Sequence, residues 1–210
     1  MNVFILNTGR CGSMTIIKAC QHISNYTSAH ESRCNLLGSD HFTYPENHIE
    51  ADNRLSWFLG RLDRHYGDNA FYVHLIRDDN ATATSFVRRY NNGIIKAYRT
   101  DILMSLPDGS EPLSVALDYC DTVNSNIECF LKDKSRRMEF RLENARQDFS
   151  KLWEQIGAVG DLDAALAEFD TRHNKSEGGT HHSNNILSTW LSRRVHRLSR
   201  TIQKLFTKLQ

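Results

Sequence analysis

Asn7-Thr-Gly-Arg-Cys-Gly-Ser-Met-Thr15 is the stretch on which the reading of this chain turns. It follows the apolar run Val3-Phe4-Ile5-Leu6 and leads into Ile16-Ile17-Lys18-Ala19-Cys20. A strand, a glycine-bearing loop and a helix start together make a cradle for an anion. Gly9 and Gly12 let the backbone turn tightly, and the first-turn amides point at the bound group with the helix dipole behind them. Ser13 and Thr15 add hydroxyl donors, and Arg10 adds a permanent charge on a planar fork. The plain alternative is a loop that only turns a strand into a capped helix. Two phosphate chemistries fail on the residues themselves. A nucleotide-triphosphatase loop needs Gly-Lys, which the chain lacks, and a tyrosine-phosphatase loop built on Cys11 needs arginine where Ile17 stands.

The bulk composition narrows the class. With 210 residues, 40% of them apolar and 24% charged, the chain suits one well-buried soluble domain rather than two. A net charge of +1 gives no footprint for nucleic acid. That charge is uneven: six basic and no acidic residues follow Glu177, against 20 basic and 25 acidic in residues 1–177. Five cysteines (11, 20, 34, 120, 129) form no C-x-x-C pair, which fits a reducing compartment. A strand beginning at residue 3 leaves no space for a signal peptide, and no apolar run reaches the roughly 18 residues of a transmembrane segment. A cytoplasmic location is expected.

Ala70-Phe-Tyr-Val-His-Leu-Ile76 reads as a second strand, apolar on both faces apart from His74, as buried parallel strands are. Arg136–Leu142 reads as a third, and Tyr26–Ala29 leaves room for a short fourth. Helical patterns cover Met14–Ile23, Ala51–Tyr66, Asp79–Asn91, Pro112–Leu131 and Ala145–Ile156, with Ser110 a candidate cap for the fourth. Strands alternating with helices predict a three-layer α/β/α domain with a central parallel sheet. Ligands of such sheets sit beyond the carboxyl ends of the strands. The segment after the first strand and the segment after the second should therefore face one pocket.

That second segment is His74-Leu-Ile-Arg-Asp-Asp-Asn-Ala-Thr-Ala-Thr-Ser-Phe-Val-Arg-Arg-Tyr90. Arg77 with Ser85 eight positions on resembles the R-x7-S element of sulfotransferases that use 3′-phosphoadenosine 5′-phosphosulfate (PAPS). Arg10-Cys11-Gly12-Ser13-Met14 resembles that family's 5′-phosphosulfate loop, with Gly9 before it. Arg141-Leu-Glu143 and the helix after it resemble the family's R-x-E-x-L strand end, so the likeness runs in islands from residue 3 to about 157. It implies a P-loop-like sulfotransferase fold, PAPS as donor, adenosine 3′,5′-bisphosphate (PAP) as product and no metal. On this resemblance Arg10, Ser13 and Thr15 hold the 5′-phosphosulfate, Arg77 and Ser85 the 3′-phosphate, and Arg89 is a further basic contact. Met14 departs from the pattern, standing where a hydroxyl is usual. The Lys-Thr-His and Arg-Lys-Gly motifs of the phenol and steroid enzymes are absent, which points to the carbohydrate or protein-tyrosine type.

The resemblance also implies a base for the acceptor's proton. Glu31, 21 residues after Arg10, suits the glutamate of the protein-tyrosine and heparan types, and His30 is the alternative. Glu31 read plainly is a surface carboxylate paired with Arg33. The segments 33–50 and 93–111 are expected to line the acceptor side with His41, Phe42, Tyr44, His48, Tyr98 and Arg99. The acceptor is expected to be a small-molecule or glycan hydroxyl.

Residues 172–185 form a polar, glycine-bearing stretch. By the resemblance it closes over the donor through Lys175; read plainly it is a solvated linker. His181-His182 lacks the partners a metal needs. The expected domain spans 1–182, followed by a basic amphipathic helix over 183–210. Leu187, Leu191, Val195, Leu198, Ile202, Leu205 and Leu209 share one of its faces. That face packs on the domain, pairs with a second copy as a homodimer seam, or meets an anionic membrane surface.

Overall fold

The computed structural model describes residues 1–104, 106–107 and 109–170. Lys175, His181-His182 and the helix expected over 183–210 lie outside the described residues, as does the boundary at 182. The chain runs β1 (Val3–Asn7), α1 (Ser13–Cys20), β2 (Thr27–His30), β3 (His48–Ala51), α2 (Leu59–Tyr66), β4 (Phe71–Ile76) and α3 (Asp79–Val87). It continues through α4 (Gly93–Ala97), a π-helical turn at Tyr98–Ile102, α5 (Pro112–Leu131), β5 (Arg137–Arg141), α6 (Ala145–Gln155) and α7 (Leu162–Ala167). The strands form one parallel sheet in the order β2-β3-β1-β4-β5, with β1 at its centre.

Period-two alternation along the strands divides the core. Phe4, Leu6 and Tyr72 face a layer built by α2, α3, α4 and α5, where Leu62, Phe86, Ile95, Tyr119 and Ile127 are buried. Val3, Ile5, Val73 and Leu75 face the opposite layer, where Ile16, Phe149, Leu152 and Ala165 close the core from α1, α6 and α7. The three-layer α/β/α arrangement follows from this double-sided burial. Each fully buried Phe or Leu contributes about 1.5–3 kcal/mol relative to exposure.

Three details differ from the sequence expectation. The helix expected over 51–66 is divided: Ala51 ends β3, a 3-10 turn covers Asn53–Trp57, and α2 begins only at Leu59. The Asp52 side chain accepts from the Arg54 amide and caps that turn, which favours the break. The third helix ends at Val87 rather than Asn91. Ser110 does not cap α5; the Glu111 side chain accepts from the Ser114 amide at 2.7 Å, and Ser110 Oγ donates to the Pro107 carbonyl.

Candidate functional site

Parallel order places the loops after β1, β3 and β4 along one edge, with β1 between its two neighbours. Asn7, the last residue of β1, organises the first loop. Its Oδ1 accepts from the Gly9 amide at 2.8 Å and from the Cys11 thiol at 3.4 Å, while its Nδ2 donates to the Ile5 carbonyl. Tyr119 of α5 donates to the Thr8 carbonyl at 2.6 Å, and Ser56 donates to the Asn7 carbonyl at 3.1 Å. The loop is thus held from both flanking segments.

Gly9, Arg10 and Gly12 all take positive φ, at 84°, 61° and 89°. Left-handed backbone at an arginine is unfavourable by about 1–2 kcal/mol, and here it lies within a run that can turn amides toward one concave face. Gly12 caps α1, and a Cβ there would meet Leu142 Cδ1 at 2.6 Å. Leu142, from the Arg-Leu-Glu segment, thus adds a close contact to the left-handed φ that already favours glycine at position 12. Glu143 of the same segment accepts from the Asp78 amide at 2.9 Å. Asp78 in turn caps α3 through the Ala81 amide, and the Asp79 carboxylate accepts from Asn124. Both aspartates are engaged in local structure.

The first and second loops meet. Arg10 Nε donates to Ser85 Oγ at 3.0 Å, and Arg77 Nη1 donates to the Arg10 carbonyl at 3.1 Å. Burial, then the nearby positive charges of Arg89 and Arg77, hold the Arg10 guanidinium below its ordinary pKa. Two further guanidinium groups therefore lie near enough to Arg10 to disfavour its charge, which makes this a cationic part of the edge. Among the loop residues expected to touch a ligand, Cys11 turns its side chain inward. Its side chain is wholly buried beneath Asn7, and burial pushes its thiol up to about 12. Only its backbone remains for an anion. Ser13, Met14 and Thr15 occupy the first turn of α1, Ser13 buried and the other two half-buried.

His30 ends β2 and Glu31 follows it, on the same edge. Ser13 Oγ lies 2.9 Å from His30 Nε2, so the histidine reaches the first loop directly. Glu31 has φ 51° and pairs with Arg54 at 2.6 Å, not with Arg33, whose Nη1 donates to the Asp40 carbonyl. The position of Glu31 is set by Ser32, whose amide and hydroxyl donate to the wholly buried Glu50 at 2.8 and 2.6 Å. His48 Nε2 lies 3.0 Å from Glu50 Oε2, the oxygen that also takes the Ser32 hydroxyl.

The acceptor lining is corrected more heavily. His41, Phe42, Tyr44, His48 and Tyr98 are all buried in the protein interior, and half-buried Arg99 stacks on Tyr90. Sequence reasoning missed Asn7, Asp52, Arg54 and Leu142. Asn7 alone carried a visible signal, a polar side chain closing an apolar strand ahead of two glycines. Among the described residues no helix is long and apolar enough to cross a membrane, and no three His, Cys, Asp or Glu side chains group as a metal site.

No protein-family model matches the sequence, and no curated protein matches it. Solved structures do match in fold. The sulfotransferase domain from the curacin biosynthetic pathway aligns with TM-score 0.57 and 17% identity, over 85% of this chain and 80% of that one. Mouse sulfotransferase SULT7A1, complexed with PAP, aligns with TM-score 0.53 and 12% identity, over 88% of this chain and 73% of that one. With its central parallel sheet, its helices on both faces and these structural neighbours, the chain has a sulfotransferase fold.

Proposed function

We propose that the protein is a sulfotransferase that moves a sulfuryl group from PAPS to an acceptor hydroxyl. The observation that carries this reading is the hydrogen bond between Arg10 and Ser85, 75 positions apart, with Arg77 bound to the same loop. Two loops from different strands thus join in one cationic surface, which suits a doubly phosphorylated adenosine. The PAP in the mouse structure supports the choice of donor.

On this reading the first loop takes the 5′-phosphosulfate through its amides, Ser13 and Arg10, while Arg77, Ser85 and Arg89 take the 3′-phosphate. The acceptor oxygen attacks sulfur in line. Its O–S bond forms as the bond from sulfur to the bridging oxygen breaks, and PAP leaves with the electron pair. Arg10 stabilises the growing charge on that oxygen, an effect of preorganised donors worth about 3–4 kcal/mol. Glu31 accepts the acceptor's proton; His30 is the second candidate and touches Ser13. The chemistry is positioning and charge stabilisation, for which no metal is required. The acceptor class is a small-molecule or carbohydrate hydroxyl, and the site of action is the cytoplasm.

A degenerate P-loop kinase, or a nucleotide-binding module without catalysis, is the rival. Thermal unfolding separates them. PAP should raise the Tm without Mg²⁺ whereas ATP should not, and labelled sulfur should pass from PAPS to a hydroxyl in an acceptor screen. Stabilisation by ATP and Mg²⁺ alone would establish the kinase. Stabilisation by PAP without transfer to any acceptor would establish the module.

A further inference from the structure

Asp52 stands just past β3 and is wholly buried, with Oδ1 taking the Arg54 amide at 2.8 Å. Its Oδ2 has no hydrogen-bond partner among the described residues. A carboxylate so desolvated is costly unless a charge offsets it. Arg54 supplies the offset: its Nη1 lies 3.8 Å from Asp52 Oδ1 and 2.6 Å from Glu31 Oε2. One guanidinium therefore bridges two carboxylates, arriving from the ends of β3 and β2. The other charged and titratable groups facing this trio are Glu50 on β3, Cys34 in the segment after β2, Tyr44 ahead of β3, and Tyr119 on α5.

Resting on the reading of Glu31 as the base, we infer that Asp52 is a positioning residue for it, acting through Arg54 by drawing part of the guanidinium charge away from Glu31. A base held by a guanidinium alone gives up much of its pull on a proton. A second carboxylate on the same guanidinium works in the opposite sense, and it does so from a buried position where screening by salt is small. Asp52 is in a position to do this because no ligand need displace it. The state of Asp52 is consistent: burial foremost, then the charges of Glu31 and Glu50, raise its carboxyl above the usual range, against the Arg54 amide and guanidinium.

Coupling between two titrating groups is reciprocal, so it can be read from the Asp52 side without any activity. The experiment follows the Asp52 side-chain carboxyl by NMR through a pH titration in the parent, Glu31→Gln and Arg54→Gln proteins. Glu31→Gln should lower the Asp52 midpoint by about half a pH unit, and Arg54→Gln should raise it. A midpoint indifferent to Glu31→Gln overturns the inference. The second readout is kcat against pH for Asp52→Asn, which keeps the oxygen that caps the turn. Its acid limb should move to lower pH with the KM for PAPS unchanged. A uniform drop at every pH would instead show a merely structural role and sink the inference. Midpoints that move as expected in a protein that transfers no sulfur leave the coupling standing and remove the sulfotransferase reading. An active enzyme with unmoved midpoints does the reverse.

Discussion

Arg10 and Ser85 are hydrogen-bonded at 3.0 Å although one follows β1 and the other lies within α3. This contact joins the two halves of the proposed donor site, and each half can be tested separately. Arg10→Ala removes the group beside the bridging oxygen. Turnover should fall about 100- to 1,000-fold, while PAP still raises the Tm. Equal turnover in variant and parent would remove Arg10 from the transition state.

Arg77 and Ser85 should instead govern affinity. Ser85→Ala deletes a neutral hydroxyl that bonds a charged group, a loss of about 1.5–3 kcal/mol, so PAP should bind roughly tenfold more weakly or worse. Arg77→Ala should cost more, because it removes a charge and also frees the Arg10 carbonyl it holds. Isothermal titration with PAP measures both. Unchanged affinity in both variants would place the 3′-phosphate elsewhere.

Gly12 reports on the loop's shape. Alanine there meets a left-handed φ of 89° and Leu142 Cδ1 at 2.6 Å. Strain and overpacking together should destabilise the fold by about 2–4 kcal/mol in urea unfolding. Adding Leu142→Ala relieves the clash but not the strain, so the double variant should be less unstable than the two single changes summed. Strict additivity would show that Leu142 is not the obstacle.

How far the sequence was readable depends on whether a residue's burial is a local property. β1, β4 and α5 announce themselves by apolar runs and by Pro112 in the first helical turn, and both loops of the proposed donor site follow from residues beside those strands. β3 does not. His48-Ile-Glu-Ala51 is four residues long with a charge in its middle, and nothing local shows that Glu50 is buried. Its carboxylate is tolerated because Ser32 and His48 bond it, and Ser32 is 18 positions away. Missing β3 merged its end into a helix, which hid Asp52 and Arg54, the residues that give Glu31 its partner. Aromatic residues in the segments 33–50 and 93–111 looked like an acceptor lining, but Tyr44 packs on Phe4 and Tyr98 on Tyr119. Apolar area was the stronger pull.

His74 supplies a pH signature of the core. Burial, opposed by its bond to Asn124, holds the imidazole pKa below the ordinary value, with Nε2 3.2 Å from Asn124 Oδ1. The unfolded chain therefore binds a proton more readily than the native one. Stability from this group is complete above the ordinary histidine range and is lost as pH falls through it toward the lower native value. Urea midpoints should decline from about pH 7 to 5 in the parent, and less steeply in His74→Gln. Identical slopes would mean that His74 is not the group responsible.

His30 and Glu31 are adjacent in sequence yet bonded to different things, and this should divide their kinetic roles. His30 reaches Ser13 in the donor loop, whereas Glu31 is held by Arg54 on the side of the turn after β3. His30→Ala frees the Ser13 hydroxyl and should raise the KM for PAPS several-fold while changing kcat little. Glu31→Gln keeps the shape and removes the proton acceptor, so kcat should fall about 100-fold or more at saturating PAPS, with PAP binding retained. The reverse pattern, a kcat collapse in His30→Ala and an active Glu31→Gln, would move the base to the histidine. It would then make Ser13 the hydroxyl through which that base is aligned.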